Sequence, residues 1–304
     1  MSWPPPSRPH CWPPPPKNNL RVMTAVTIRD ILQDAARRFE PVSESPRLDA
    51  QLLIAETLGV SRAHVLAHPE RTLTPEETQQ IHTWIDRRAT GEPIAYILGR
   101  RAFYDRELIV TPDVLIPRPE TEHLLEAALD FAAGRSLTAV DVGTGSGALA
   151  VTFRALNPAA DVFAVDISEA ALAVAQHNAE RQGVAITFLQ GDLLEPIIAQ
   201  GLAVDLVMAN LPYIDQKTLN TLDVARHEPW HALNGGTDGL EVFRRFMPQA
   251  RQVCTPYACI LLEIGADQGE AVPQIARQHF PRAAIHVSQD LAGLDRLVHI
   301  MVEA

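Results

Sequence analysis

Apolar residues recur at helical spacing from residue 27 to about residue 91, with polar residues between them. Two segments, TIRDILQDAARRFE and SPRLDAQLLIAETLGV, each place their apolar residues on one face of a helix. These faces consist of Ile28, Ile31, Leu32, Ala35 and Phe39 in the first segment and of Leu48, Leu52, Ala55 and Leu58 in the second. An amphipathic helix needs a partner for its apolar face, so the pattern predicts a small group of packed helices.

A third segment, TPEETQQIHTWIDRRATGE, carries the clearest signals for where a helix begins and ends. Thr74 can accept hydrogen bonds from the free N–H groups of the first turn, Pro75 suits the first helical position, and Glu77 completes a capping box. Gly91 should end the helix, because glycine readily adopts the left-handed conformation that closes one. A unit made only of helices is typical either of a docking unit or of a structural extension, and the sequence leaves both open.

The pattern changes after residue 91. The stretches AFYDRELIV and DVLIP are rich in β-prone residues and are punctuated by Asp105-Arg106 and Thr111-Pro112, so they predict a short hairpin. A helix should follow, entered at Pro119. This stretch is expected to be a structured linker.

Beyond the linker, strand-like and helix-like segments alternate to the end of the chain. The strand-like segments are LTAVDVG, DVFAVDIS, AITFLQGD, AVDLVMANLPYI, ACILLEIG, AAIHVSQ and RLVHIMVE. Such alternation predicts an α/β fold with a doubly wound parallel sheet, whose ligands bind outside the carboxyl ends of the strands. The predicted divisions of the chain are a Pro-rich extension over 1–23, a helical domain over 24–99, a hairpin linker over 100–118 and an α/β domain over 119–304.

The first strand of the α/β region ends in a glycine-rich turn, DVGTGSG, which indicates a nucleotide cofactor, because glycine lets the backbone approach a ligand that a side chain would exclude. The turn alone does not choose the cofactor. Gly145, Gly147 and Ala150 satisfy the dinucleotide fingerprint, with Asp166 as the ribose-binding acid, and S-adenosylmethionine fits equally well. The candidate binding residues of this loop are Asp141, Gly143, Thr144, Gly145, Ser146 and Gly147.

Two further strand ends favour S-adenosylmethionine. The third strand ends in Gly191-Asp192-Leu193, where the carboxylate can accept a hydrogen bond from an adenine amino group and the leucine can flank the ring. The fourth ends in Asn210-Leu211-Pro212-Tyr213, an abrupt change from an apolar run to an amide, a proline and an aromatic ring. A nicotinamide-dependent oxidoreductase would share the glycine loop but leaves this second ending unexplained.

Composition narrows the class of protein. The chain has 304 residues and 46% hydrophobic content, enough for one large domain and one small one. A net charge of -11 argues against a protein that grips nucleic acid through phosphate neutralisation. Cys11, Cys254 and Cys259 have no metal-site spacing, so no metal is expected. No apolar run approaches the roughly 20 residues of a membrane helix, and we expect a cytoplasmic protein without a membrane partner.

The N-terminus has a distinct composition, since eight of its first twenty residues are proline. Each proline removes an N–H donor, so residues 1–23 are predicted to be disordered. The alternatives are a Pro-rich ligand for an aromatic groove and a start of translation at Met23, which directly precedes the first amphipathic segment.

These motifs together resemble a class I S-adenosylmethionine-dependent methyltransferase that modifies a planar nitrogen. More narrowly, the chain resembles the HemK/PrmC family, from residue 27 to the C-terminus. The segments that carry the narrower resemblance are GEPIAYILG, VTPDVLIPRPETE, DVGTGSGALAV, NLPYI, HEPWHALNGGTDGL, EIGADQG and LAGLDR. The resemblance implies a Rossmann-like methyltransferase sheet with a small N-terminal helical domain joined by a hairpin.

The resemblance also implies an activity, which is N5-methylation of the glutamine in the Gly-Gly-Gln motif of class-1 peptide-chain release factors. The cofactor would be S-adenosyl-L-methionine, converted to S-adenosyl-L-homocysteine. A glutamine nitrogen is a poor nucleophile because its lone pair is delocalised into the carbonyl, so acceptors aimed at its N–H groups should assist attack. The carboxamide oxygen of Asn210 and the main-chain carbonyl of Leu211 are two such acceptors, Pro212 stiffens the turn, and Tyr213 can stack on the amide.

For the cofactor, the glycine loop should pass beneath the methionine and ribose, Asp166 should bind the ribose hydroxyls, and Asp192 and Leu193 should meet adenine. Asp141 could place the cofactor's amino group or could cap N–H groups of its own loop. No general base is required, because an N-protonated amide readily loses its proton to water. His177, His227 and His231 are therefore not assigned that role.

The chain departs from the family's usual N-P-P-Y at Leu211, which retains the carbonyl but releases the fixed φ of proline. Glu228 and Asp238 lie in HEPWHALNGGTDGL, which could cover the active site or could be a solvated loop. The alternative function is an amino-methyltransferase acting on an exocyclic nitrogen of DNA or RNA, which should show a basic face and a target-recognition insert. A cofactor-binding module without catalysis is the third hypothesis. We expect a monomer, because no apolar stripe is left over.

Overall fold

Local sequence signals decide where the N-terminal helices begin. The Thr27 hydroxyl accepts a hydrogen bond from Asp30 N (3.3 Å), and the Asp30 carboxylate accepts one from Thr27 N (3.0 Å). Thr74 and Glu77 form the same reciprocal pair, as their spacing predicts. Each box satisfies donors that the first helical turn leaves free.

A computed structural model describes residues 26–303 of the chain, and the predicted disorder of residues 1–23 lies outside the described residues. The helices are α1 Ile28–Phe39, α2 Pro46–Leu58, α3 Arg62–Ala67, α4 Pro75–Ala89, α5 Ile94–Leu98, α6 Thr121–Ala132, α7 Ala148–Leu156, α8 Glu169–Gln182, α9 Glu195–Ala199, α10 Gln216–Leu219, α11 Glu241–Val253 and α12 Ala271–His279. The strands are β1 Arg100–Phe103, β2 Arg106–Ile109, β3 Thr138–Val142, β4 Asp161–Asp166, β5 Thr187–Gln190, β6 Val204–Ala209, β7 Cys254–Glu263, β8 Ala284–Gln289 and β9 Asp295–Met301. Two short 3₁₀ helices span Asp223–Arg226 and Trp230–Ala232.

Helices α1–α5 share one apolar core, and α1 buries the predicted face except for the half-buried Leu32. The predicted face of α2 is largely wrong. Of its four residues only Ala55 is buried, since Leu48, Leu52 and Leu58 are half-buried, and the helix instead buries Ala50, Leu53 and Ile54. Helix α2 packs against α1, α3 and α4 together, and its apolar residues run round most of its surface. Periodicity therefore could not choose among its faces.

The hairpin is shorter than predicted. Strands β1 and β2 pair antiparallel, with Phe103 opposite Arg106, and they include only the first of the two β-prone stretches. The second stretch, DVLIP, is not a strand. Its backbone is engaged by side chains instead, since the Tyr96 hydroxyl donates to Val114 O (2.6 Å) and Ile116 N donates to Glu228 (3.1 Å).

A seven-stranded sheet forms the centre of the α/β region, in the order β5-β4-β3-β6-β7-β9-β8. Strands β3 to β7 are parallel neighbours, as the alternation predicts, but β9 runs antiparallel to both β7 and β8. Helices α6, α7 and α8 cover one face of the sheet, and α9, α11 and α12 cover the other. Within residues 26–303, no helix combines the length and apolarity needed to cross a membrane.

Candidate active site

Parallel strands bring the predicted site residues to one edge of the sheet. Val142 of β3 pairs with Val165 of β4 on one side and with Ala209 of β6 on the other. Because these strands end at the same level, the glycine loop, Asp166 and the 210–213 turn leave the sheet side by side. The sequence-predicted residues are thus neighbours in space although up to about seventy residues separate them along the chain.

The glycine loop needs glycine for two different reasons. Gly143, Gly145 and Gly147 have φ of 73°, 55° and 80°, a region that side chains disfavour. A Cβ on Gly147 would lie 3.1 Å from Ala175 Cβ, so this glycine permits close packing of the loop on α8. A Cβ on Gly145 would meet only Gly143 O, at 4.0 Å, and would project into open space. That space is available to a ligand.

Asp141 is buried beneath the loop and holds it in shape. One carboxylate oxygen accepts hydrogen bonds from the Thr144 hydroxyl (2.7 Å) and from Ala150 N (3.1 Å). Burial raises the pKa of Asp141 to about 7, and these two hydrogen bonds oppose the shift. The sequence left open whether Asp141 caps N–H groups of its own loop or places the cofactor's amino group. Its Oδ2 does cap the loop, and its Oδ1 remains able to accept a hydrogen bond from a ligand cation. Thr144 and Ser146 are themselves buried, and Ser146 O accepts from Asn178 Nδ2 (2.9 Å).

Asp166 links β4 to the glycine loop. Its two oxygens accept from Gly145 N (2.9 Å) and from Ser168 N (2.9 Å). A carboxylate oxygen can accept more than one hydrogen bond, so both remain able to bind hydroxyl groups. The same residue thus fixes the loop and faces the cavity that the loop borders.

Asp192 and Leu193 also border this cavity. Arg245 of α11 forms an ion pair with the Asp192 carboxylate. Leu193 has φ of 54°, the left-handed region that a leucine rarely adopts, and its side chain is buried in the cavity wall. Strained backbone of this kind concentrates at functional sites, because the surrounding fold must hold it in place.

Two cavities meet at the glycine loop. The larger has a volume of about 320 Å³, within the usual size of small-molecule pockets. The smaller, of about 50 Å³, is bordered by Asp141, Thr144 and Ser146. Gly143, Gly145 and Asn210 border both. The lining combines carboxylates (Asp141, Asp166 and Asp192), apolar side chains and a glycine wall without Cβ atoms, and this combination fits S-adenosylmethionine, which has a ring, a ribose and a cationic amino acid.

Asn210 stands where the two cavities join. Its Nδ2 donates to the Thr121 hydroxyl (3.1 Å), and none of the described residues donates to its Oδ1. The Leu211 side chain is buried in the core, 2% exposed, and its main-chain carbonyl also accepts from no residue in the 26–303 range. Two hydrogen-bond acceptors are therefore unpaired by protein beside the cavity, as the chemistry of amide activation requires.

The 210–213 turn is held by residues that sequence reasoning missed. Gln268 is buried and donates from Nε2 to Tyr213 O (2.9 Å) and to Gly239 O (3.1 Å). The Tyr213 hydroxyl donates to Glu263 (3.4 Å) at the end of β7. Burial, followed by the Glu263 charge, raises the pKa of Tyr213 to about 12. The only sequence signal was the position of Glu263 at a strand end, in the segment EIGADQG.

The loop that carries Glu228 covers part of the site. Glu228 is buried and accepts from Ile116 N (3.1 Å) and from Arg118 (2.7 Å), so the loop is fastened to the segment before α6. Trp230, His231 and Asn234 of this loop border the larger cavity. Of the two interpretations left open by the sequence, the structure favours a cover. Asp238 instead pairs with Arg244 at the exposed start of α11.

The three histidines differ in position. His177 lies on the exposed side of α8, and His227 packs against Gly91, where an added Cβ would lie 2.8 Å from its Nε2. His231 is exposed at the rim of the larger cavity. None of the three donates a hydrogen bond to the 210–213 turn in the described part of the chain.

Comparison with known proteins identifies relatives of this chain. A family model described as the PrmC N-terminal domain matches residues 30–99, and one described as a methyltransferase domain matches residues 139–226. A release factor glutamine methyltransferase of Moorella thermoacetica is 42% identical over 276 residues, covering 89% of this chain and 97% of the relative. One from Bacillus subtilis is 41% identical over 260 residues, covering 83% of this chain and 90% of the relative.

A solved structure is similar at the level of the fold. A methyltransferase from Pyrococcus furiosus superposes with a TM-score of 0.51 at 13% identity, over 67% of this chain and 92% of the other.

Proposed function

Because this chain belongs to the release factor glutamine methyltransferase family, we propose that its 210–213 turn holds the glutamine side chain that is methylated. The chain is an S-adenosylmethionine-dependent methyltransferase that modifies glutamine in release factors. By the resemblance noted above, the atom modified is N5 of the glutamine in the Gly-Gly-Gln motif. The observation that carries the assignment of the turn is a pair of acceptors beside the cavity, Asn210 Oδ1 and Leu211 O, to which no residue among 26–303 donates.

The cofactor would be held by the residues that border the two cavities. Gly143 and Gly145 leave room for its ribose and methionine, Asp166 would accept from the ribose hydroxyls, and Leu193 would flank adenine. Asp141 Oδ1 would face the amino group. S-adenosylmethionine supplies an electrophilic methyl group on its sulfonium sulfur.

Asp192 is the assignment that the geometry modifies. Its carboxylate already pairs with Arg245, so it would accept from the adenine amino group as part of an ion pair. Thr144 and Ser146 would act from beneath the loop. The Thr144 hydroxyl donates to Asp141, and the Ser146 carbonyl accepts from Asn178.

The turn would activate the glutamine by accepting hydrogen bonds from both N–H groups of its side-chain amide. Asn210 Oδ1 and Leu211 O would favour the positive charge that develops on nitrogen as it attacks the methyl carbon. Pro212 would fix the backbone between the acceptors and Tyr213, and the Tyr213 ring would stack on the amide. The methylated nitrogen then loses its proton to water, so no side chain of this chain is needed as a base.

The remaining assignments concern the partner and the setting. We propose that the helical region, residues 24–99, contacts the release factor, and that residues 100–118 link it to the methyltransferase domain at 119–304. The net charge of -11 favours a protein partner over stable nucleic-acid binding. The enzyme would act as a monomer in the cytoplasm, where release factors work, and would need no metal or membrane.

The test is methyl transfer from labelled S-adenosylmethionine to purified release factor, to a factor whose Gly-Gly-Gln glutamine is changed, and to bare nucleic acid. We expect label only on the intact factor. Asn210→Ala should lower kcat about 10²- to 10³-fold, the usual effect of removing one group that stabilises transition-state charge.

The matched control is Asn220→Ala, an exposed asparagine in the same loop region, which should leave kcat unchanged. Label on nucleic acid alone would replace this function with the amino-methyltransferase alternative. Full activity of Asn210→Ala would remove the turn from the mechanism while leaving the family assignment in place.

A further inference from the structure

A chain of hydrogen bonds leads from Asn210 into the core. Asn210 Nδ2 donates to the Thr121 hydroxyl (3.1 Å), and that hydroxyl donates in turn to Glu263 Oε2 (2.6 Å). Thr121 is 5% exposed and Glu263 is 2% exposed, so water does not compete for the hydrogen bond between them. The other carboxylate oxygen, Oε1, accepts from the Tyr213 hydroxyl (3.4 Å).

Three separate elements build this chain. Ala209 pairs with Leu262, so the next residues, Asn210 and Glu263, leave β6 and β7 at the same level. Helix α6 begins at Thr121 and packs against β7, which places the threonine hydroxyl between the two side chains. The contact therefore depends on the register of the sheet and on where α6 begins.

The direction of the hydrogen bonds matters for catalysis. A carboxamide presents an oxygen on one side and an NH₂ group on the other, and only the oxygen can accept from a glutamine N–H. A threonine hydroxyl has one proton, so donating it to Glu263 leaves the oxygen lone pairs as the acceptor for Asn210 Nδ2. Asn210 is then oriented with Oδ1 toward the cavity.

We propose that Glu263, acting through Thr121, is the positioning residue that fixes which end of the Asn210 carboxamide faces the substrate. This rests on the proposed role of Asn210. Without an acceptor at position 263, the Thr121 hydroxyl can turn and donate to Asn210 Oδ1. The carboxamide would then flip and present NH₂ to the glutamine, where two donors oppose each other.

The surroundings of Glu263 are consistent with an acceptor held in place. Burial raises the pKa of the Glu263 carboxyl, whereas the hydrogen bond from Thr121 and the charge of Arg296 lower it. Arg296 is itself fixed, since it pairs with Asp290 (3.1 Å) and donates to Ile264 O (3.3 Å). Glu120 is the nearby acid that raises the same pKa.

The experiment compares two substitutions at position 263. Glu263→Met removes the acceptor and keeps a side chain of similar size. Removing one member of a buried polar cluster costs stability, so kcat is compared at a temperature at which thermal unfolding shows both variants to be folded. We expect its kcat on the release factor to fall about 10- to 100-fold, a part of the effect of losing Asn210. Glu263→Gln retains an oxygen that Thr121 can donate to, so its kcat should stay within about fivefold of the parent. The Kd for S-adenosylhomocysteine should change less than about twofold in both variants, because Glu263 borders neither cavity.

A second pair of variants tests the relay without touching Glu263. Thr121→Val removes the hydroxyl and should lower kcat as much as Glu263→Met does. Thr121→Ser keeps a hydroxyl at this position and should therefore keep kcat near the parent value. Adding Glu263→Met to Asn210→Ala should cause no further loss of kcat, because the carboxamide is already absent.

The outcomes separate the two proposals. If Glu263→Met and Thr121→Val keep full kcat while Asn210→Ala is impaired, the relay is wrong and the role of Asn210 stands. If Glu263→Met lowers kcat equally with and without Asn210, Glu263 acts by another route and the proposal is overturned. If Asn210→Ala is fully active, the proposed function of the turn has failed, whatever the variants at position 263 do.

Discussion

Replacing Gly145 with alanine should separate cofactor binding from stability. Gly145 has φ of 55°, and a Cβ built on it meets only Gly143 O at 4.0 Å. Its methyl group would enter the space shared by the two cavities, in which the cofactor is proposed to lie. The variant should therefore fold and yet bind the cofactor poorly.

Gly145→Ala should have two costs, one in folding free energy and one in the binding free energy of the cofactor. An alanine held in the left-handed region costs about 1–2 kcal/mol of folding free energy, and each kcal/mol lowers Tm by about 2–4 °C in a domain of this size. An extra methyl group in a filled site costs about 1–3 kcal/mol, which corresponds to a roughly 5- to 150-fold higher Kd for the cofactor. Only the second cost depends on the site.

Gly183 provides the matched control. It ends α8 with φ of 67°, and a Cβ there meets no atom within 4 Å. Gly183→Ala should lose the same folding free energy as Gly145→Ala and should bind S-adenosylhomocysteine as the parent does. The assays are thermal unfolding for stability and calorimetric titration for Kd.

Two results would refute this reasoning. Parental affinity in Gly145→Ala would mean that the cofactor does not occupy the space beside Gly145. A much lower Tm in Gly145→Ala than in Gly183→Ala would mean that the glycine is required for folding of the loop rather than for the ligand.

Two further predictions concern the turn and the loop. Leu211→Pro restores the family's usual residue. Because no described residue accepts a hydrogen bond from the Leu211 N–H, kcat of the variant in steady-state assays should stay within about tenfold of the parent value. A thousandfold change would show that this turn works differently. Burial raises the pKa of Asp141 to about 7, whereas an aspartate in an unfolded chain has a pKa of about 3.9. Between about pH 4 and about pH 7 the cofactor-free folded protein therefore binds more protons than the unfolded chain, and it loses stability as the pH rises through this range. Asp141→Asn should remove that slope in urea unfolding at about pH 5 and about pH 8, and an unchanged slope would place its origin elsewhere.

Part of the fold and of the site follows from local sequence. The starts of α1 and α4 depend on capping boxes at Thr27 and Thr74, in which the two groups that hydrogen-bond to each other are three residues apart. The central strands β3, β4 and β6 are largely apolar runs of the right length, and chemistry-bearing residues follow them. Since the carboxyl ends of parallel strands converge, the sequence by itself placed the glycine loop, Asp166, Asp192 and residues 210–213 together.

Other features depend on contacts that no local pattern encodes. The buried face of α2 was decided by the four helices that contact it, and the backbone of the second β-prone stretch pairs with side chains such as Glu228 rather than with a strand. Thr121 and Glu263 lie 142 residues apart, and their polar side chains meet only because α6 packs on β7. The sequence thus determined which residues can do the chemistry. The tertiary structure alone decided how Asn210 is oriented, because the direction of a hydrogen-bond chain is set by groups brought together in the packed core.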